Sequence, residues 1–100
     1  MIPLQLQNSS ERLAEVCRKF GIKELSLFGS QVRGDAKLQS DFDFLVEFDP
    51  DARIDFIKLG QIQSEFAEIV RGKVDVVPKK GLKAAIEAKV LAEAEILYAA

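Results

Sequence analysis

The sequence predicts a small α/β (α+β) domain in the order αβαβαβα, a short sheet with helices packed on it. Apolar residues recur at helical spacing along several segments, and they alternate or cluster in short runs closed by glycine or proline. The segments follow one another without a repeat, a low-complexity tract or a linker. One hundred residues make a single domain spanning 1–100 with a modest core. Association with a partner or a second copy, burying more surface, suits a core of that size.

The elements follow in order. Asn8-Ser9-Ser10-Glu11 reads as a helix start, with Asn8 as the cap and Glu11 completing a capping box. Leu13, Val16, Cys17 and Phe20 give this helix one buried face, Arg18 and Lys19 suit its negative end, and Gly21 terminates it. Cys17 falls on the apolar stripe and reads as a small core residue rather than a reactive thiol. Glu24 to Phe28 is a short strand broken by Gly29-Ser30, and a short helix runs from near Ser30 to Gly34 or Asp35. Ser40 to Phe48 is the second strand. Its period of two places Asp41, Asp43, Leu45 and Glu47 on one face, and Phe42, Phe44, Val46 and Phe48 on a buried one.

Asp49-Pro50-Asp51-Ala52 is a turn, and a third helix runs from about Asp55 to Val70. Phe56, Leu59, Gln63, Phe66 and Val70 mark its inner face, Gly60 weakens it and Gly72 ends it. Lys73 to Val77 is a third strand closed by Pro78. Leu82 to Tyr98, rich in Ala, Glu, Leu and Lys, reads as one last helix with Leu82, Ile86, Val90 and Leu97 inward.

Composition narrows the function. The chain is 48% hydrophobic and 30% charged, ordinary values for a globular fold. Its net charge of −2 gives no general drive toward nucleic acid, so no direct nucleic-acid binding is expected. No apolar run reaches membrane-spanning length and the first residues lack a signal-peptide pattern, which makes the cytoplasm the expected location. A single cysteine excludes an internal disulfide and a cysteine-rich zinc cage. Histidine is absent, so catalysis must run on carboxylates, hydroxyls and bound metal.

Three carboxylates and one turn carry that chemistry. Gly29-Ser30 is followed after ten residues by Asp41-x-Asp43, and Asp75 returns inside the run Val74-Asp75-Val76-Val77. Asp41 and Asp43 project to one side of a strand and can share a divalent cation; Asp75 on a neighbouring strand can complete a second site. Two such cations roughly 4 Å apart activate an attacking oxygen and stabilise a leaving pyrophosphate. A bare Asp-x-Asp equally describes a solvated strand face. Asp75 is harder to dismiss, because a carboxylate in a buried strand needs a partner, and Arg71 or Lys73 could supply one instead of a metal. Gly29-Ser30 offers backbone N–H groups and a hydroxyl to phosphates. Arg33, one turn on, either reaches the same triphosphate or pairs with Asp35 or the acidic cluster. Lys37, the acids Glu47, Asp49 and Asp51, and Lys79, Lys80, Lys83 and Lys89 read as solvated surface.

Taken together, Gly29-Ser30, Arg33-Gly34-Asp35-Ala36, Ser40, Asp41-x-Asp43 and the Asp75 strand closely resemble the minimal nucleotidyltransferases of the DNA polymerase beta superfamily, over nearly the whole chain. The resemblance implies a nucleotidyltransferase fold with a mixed sheet of strand order 1-2-3. It implies ATP as substrate at Gly29-Ser30, and two magnesium ions held by Asp41, Asp43 and Asp75. These proteins are typically encoded beside a HEPN-domain toxin and act as its antitoxin, transferring AMP from ATP to a tyrosine hydroxyl of the toxin. In that scheme Asp41 and Asp43 hold the metal on the triphosphate, and Asp75 ligands the second metal and takes the proton of the attacking hydroxyl.

Other readings compete with this one. A non-catalytic antitoxin would neutralise the toxin by masking it, and the Ala-rich final helix suits docking on another subunit. Aminoglycoside nucleotidyltransferases of the superfamily carry an added helical domain that these hundred residues lack, and a polymerase would need a second domain to grip its template.

Overall fold

The computed structural model describes residues 3–34 and 41–100. Asp35, Ala36, Lys37 and Ser40, to which the sequence assigns parts of a turn and a strand start, lie outside the described residues. The chain opens with a single helical turn, α1 (Leu4–Gln7), then α2 (Ser10–Phe20) and β1 (Ile22–Phe28). The short α3 (Ser30–Arg33) precedes β2 (Phe42–Phe48), α4 (Phe56–Val70) and β3 (Val74–Pro78). A 3₁₀ turn (Lys79–Gly81), α5 (Ala84–Glu93) and β4 (Glu95–Ala99) complete it.

One sheet organises these elements in the order β3-β2-β1-β4. β2 runs antiparallel to β1 and parallel to β3, so the sheet is mixed and the expected 1-2-3 order is contained within it. The correction is β4, which lies antiparallel on the outer edge of β1, pairing Leu25 with Tyr98 and Leu27 with Glu95. The long final helix of the sequence reading therefore does not exist. α5 stops at Glu93, Ala94 turns extended at φ −64°, ψ 137°, and Ile86, assigned inward, is half exposed, with Val90 the buried residue of α5. The cause is tertiary. Leu25 and Leu27 are fully buried in β1, whose edge backbone would otherwise lack hydrogen-bond partners, and that demand overrides the helical preference of the segment.

α2 and α4 cover one face of the sheet. Leu13, Val16 and Cys17 of α2 meet Leu25 and Leu27 of β1, Phe44 and Val46 of β2, and Ile62 and Phe66 of α4 in one core. Phe44 and Phe66 are fully buried and pack edge to face, ring centroids 5.0 Å apart at 81°. Cys17 belongs to this core as expected, and burial pushes its thiol pKa up to about 12, which keeps it unreactive.

Two helix ends differ from the sequence reading. Ser9, rather than Asn8, occupies the N-cap of α2, because Leu4–Gln7 forms its own turn and Asn8 closes it by donating to the Leu4 carbonyl at 2.9 Å. Leu6, 1% exposed, anchors that turn in the core. Asp55 caps α4 as its position suggests, accepting from the Lys58 N–H at 2.8 Å. The inner stripe of α4 is Ile62, Phe66 and Val70, while Phe56 is 92% exposed and Gln63 also lies outside the core. The spacing of four through Phe66 fixes this frame, which a start at Phe56 misplaces. α4 ends on Arg71 in the left-handed conformation at φ 55°, one residue before Gly72. Gly21 and Gly34 both take the left-handed conformation, ending α2 and α3 where the sequence places those ends.

Candidate active site

The site forms where β1 ends beside the start of β2 and β3. Phe28, the last residue of β1, pairs with Asp43, and Asp43 pairs across the parallel ladder with Asp75. Period-two alternation then puts Asp43 and Asp75 side by side on the face of the sheet away from the α2–α4 core. Asp41 precedes β2 by one residue and is exposed.

Gly29 makes the sharp exit from β1 at φ 81°, ψ −155°, a region open essentially to glycine alone. A side chain there would run into the Asp43 carboxylate. The missing Cβ thus lets the turn lie directly against Asp43. Ser30 begins α3 and is half-buried. The sequence-assigned Gly29, Ser30, Arg33, Asp41, Asp43 and Asp75 are therefore gathered at one end of the sheet.

Electrostatics mark the centre of this group. Asp43 has its carboxyl pKa raised by burial first, then by the negative charges of Asp75 and Asp41, with the Arg33 guanidinium acting against the rise and Glu93 adding slightly to it. Such a like-charged set of hard oxygen donors suits a divalent cation such as magnesium, whose charge relieves the repulsion. Among the described residues no three cysteine or acidic side chains stand close enough together to hold a metal ion. Asp41 and Asp75 also border a cleft of about 510 Å³ lined by Gln63, Ser64 and Lys73. Gln63 is held beside it, its side chain accepting from the Val76 N–H at 3.3 Å.

One sequence expectation changes here. Asp75 is exposed rather than buried, because β3 is an edge strand and only Val74 and Val76 turn into the core. No ion pair joins it to Arg71 or Lys73 among the described residues. Arg33 pairs with Glu93, Nη1 lying 3.2 Å from Oε1 and 3.3 Å from Oε2. The same Oε1 accepts from the Gly29 N–H at 2.9 Å. Glu93 is the residue that sequence reasoning missed: one acid in an Ala- and Glu-rich helix carries no motif, and only the break before β4 brings it to Gly29.

At the far end of the sheet Lys79 pairs with Glu47 at 3.6 Å, so these two are surface partners away from the site. Among the described residues no helix is long and apolar enough to cross a membrane.

Comparison with known proteins places the chain in a family. A nucleotidyltransferase domain family matches residues 10–97. The protein adenylyltransferase MntA of Thermococcus cleftensis is 42% identical over 81 residues, 79% of this chain and 78% of that protein. A solved structure described as a minimal nucleotidyltransferase superposes with a TM-score of 0.79 at 27% identity, covering 95% of both chains. A complex of a tri-AMPylated Shewanella oneidensis HEPN toxin with its MNT antitoxin shares the fold, with a TM-score of 0.70 at 18% identity over 95% of this chain and 73% of that one. The chain belongs to the nucleotidyltransferase family, and the relative it matches at 42% identity there is a protein adenylyltransferase.

Proposed function

We propose that this nucleotidyltransferase transfers AMP from ATP to a hydroxyl of a partner protein, a HEPN toxin encoded nearby, and acts as its cytoplasmic antitoxin. The observation that carries the reading is the register that sets Asp43 against Gly29 on one side and Asp75 on the other. The adenylyltransferase relative and the AMPylated HEPN toxin bound to an MNT antitoxin support the choice of donor and acceptor.

In this scheme Ser30 holds phosphate oxygens of ATP on the turn that Gly29 shapes, and Arg33 balances their charge. Asp41, Asp43 and Asp75 would hold magnesium, two ions in this proposal, which when bound would neutralise the triphosphate and lower the pKa of the attacking hydroxyl. Asp75, exposed beside the cleft, accepts the proton of that hydroxyl at a carboxylate oxygen. The hydroxyl oxygen bonds to the α-phosphorus, the bond to the bridging oxygen breaks, and pyrophosphate leaves with the electron pair. A tyrosine is the proposed acceptor.

The test is to purify the chain with its neighbouring toxin, add Mg-ATP and weigh both intact. Whole adenylate units appear on the toxin with the wild type and not with Asp43→Asn. Equal modification by Asp43→Asn would overturn the reading.

A masking antidote is the second reading, and one observation favours it. α5 and β4 expose Ile86 at 47%, Leu91 at 41% and Ile96 at 57%. Asp43→Asn and Asp75→Asn variants that protect cells as well as wild type would establish it; loss of protection in both would exclude it.

A further inference from the structure

We propose that Glu93 is a positioning residue for the nucleotide-binding turn, holding the Gly29 amide and the Arg33 guanidinium from the end of α5. The inference rests on the nucleotide-transfer reading and extends it to a residue outside the Gly-Ser and Asp-x-Asp pattern. One carboxylate serves two clients: Oε1 accepts from the Gly29 N–H at 2.9 Å and from Arg33 Nη1 at 3.2 Å, while Oε2 lies 3.3 Å from the same Nη1.

The placement of Glu93 is fixed by the sheet. It is the last residue of α5, and two residues later Glu95 pairs with Leu27 near the end of β1. The strand that delivers Gly29 therefore also fixes the junction that delivers Glu93. Its side chain is 17% exposed, against 44% for Arg33, so the carboxylate is the more buried member of the pair. α3, only four residues long, has little cooperative order of its own to hold Arg33. A further negative charge beside Asp41, Asp43 and Asp75 adds repulsion, which Arg33, held where it acts on Asp43, offsets. Charge-assisted bonds to an amide and a guanidinium are the kind that fix geometry.

The experiment measures Mg-ATP binding by the full chain and the kinetics of AMP transfer for the wild type, Glu93→Ala and Glu93→Gln, with melting curves for each. Glu93→Ala weakens Mg-ATP binding about tenfold, the scale of one charge-assisted hydrogen bond. The loss falls on KM more than on kcat. Glu93→Gln keeps an acceptor for the Gly29 N–H and loses less, about threefold. Should Glu93→Ala fail to fold, Glu93→Gln alone carries the test. Binding as tight as wild type in the folded variants, or tighter, overturns the proposal, and tighter binding would mean that Glu93 competes with the phosphates. A wild type that binds no Mg-ATP overturns the nucleotide reading itself, a result distinct from variants that merely match it.

Discussion

Along β2, Phe42, Phe44 and Val46 point into the layer of α2 and α4 and are at most 7% exposed, whereas Asp43 between them faces Gly29 and Asp75 on the opposite side of the sheet. The first face contributes stability through burial, about 2–3 kcal/mol for a fully buried aromatic side chain. The second gathers like charges and half-buries one of them, which costs stability. The strand shows how a chain of one hundred residues divides its labour: residues two apart share a task, and adjacent residues do not.

Substitutions on the two faces separate these tasks. Asp43→Asn should reduce AMP transfer at least about a thousandfold, as removal of a ligand or charged group from a phosphoryl-transfer site does. The same substitution should raise the melting temperature by relieving repulsion, so activity assays and calorimetry move in opposite directions. A fall in both would mean that Asp43 supports the fold.

Phe44→Ala, one residue away, should cost about 3–5 kcal/mol by leaving a cavity against Phe66. That is a large part of the stability of a small domain, and denaturant titration would show it. Gly29→Ala should cost about 1–3 kcal/mol of backbone strain and displace the Asp43 carboxylate, so transfer falls further than stability does.

The pH dependence sharpens the same contrast. The folded pKa of Asp43 lies above its unfolded value of about 4, so between the two the native state holds the extra proton. Stability from this group is therefore present below about pH 4 and declines as pH rises through the folded value. Asp43→Asn should flatten that slope in melting curves taken across the acid range; an unchanged slope would remove the burial and like-charge account. The smallest effect belongs to Lys79→Ala, which breaks a surface pair with Glu47 and should cost less than about 1 kcal/mol with transfer unchanged.

The placement of the candidate site was legible where chemistry demands particular residues in particular order. Gly29 needs its unusual φ, and Asp43 and Asp75 sit where strand periodicity sends them to one face, with Asp41 one residue before β2. What escaped depends on contacts distant in sequence. Glu95-Ile96-Leu97-Tyr98 follows an Ala-rich helical segment and becomes a strand only because β1 offers an edge. Glu93 acquires meaning only through that break, and Asp75 is exposed because it lies on the outer face of β3, an edge strand among the described residues. The frame of α4 turned on Ile62 against Gln63, a single position that the pattern begun at Phe56 misassigns.

The central claim is that this site transfers the adenylyl group. The most direct measurement incubates the chain and its partner toxin with Mg-ATP labelled at either the α- or the γ-phosphate, and follows label on the toxin. Adenylyl transfer predicts stable label from the α-phosphate alone, lost in Asp43→Asn. Label arriving from the γ-phosphate, or none from either while the complex holds together, would contradict it.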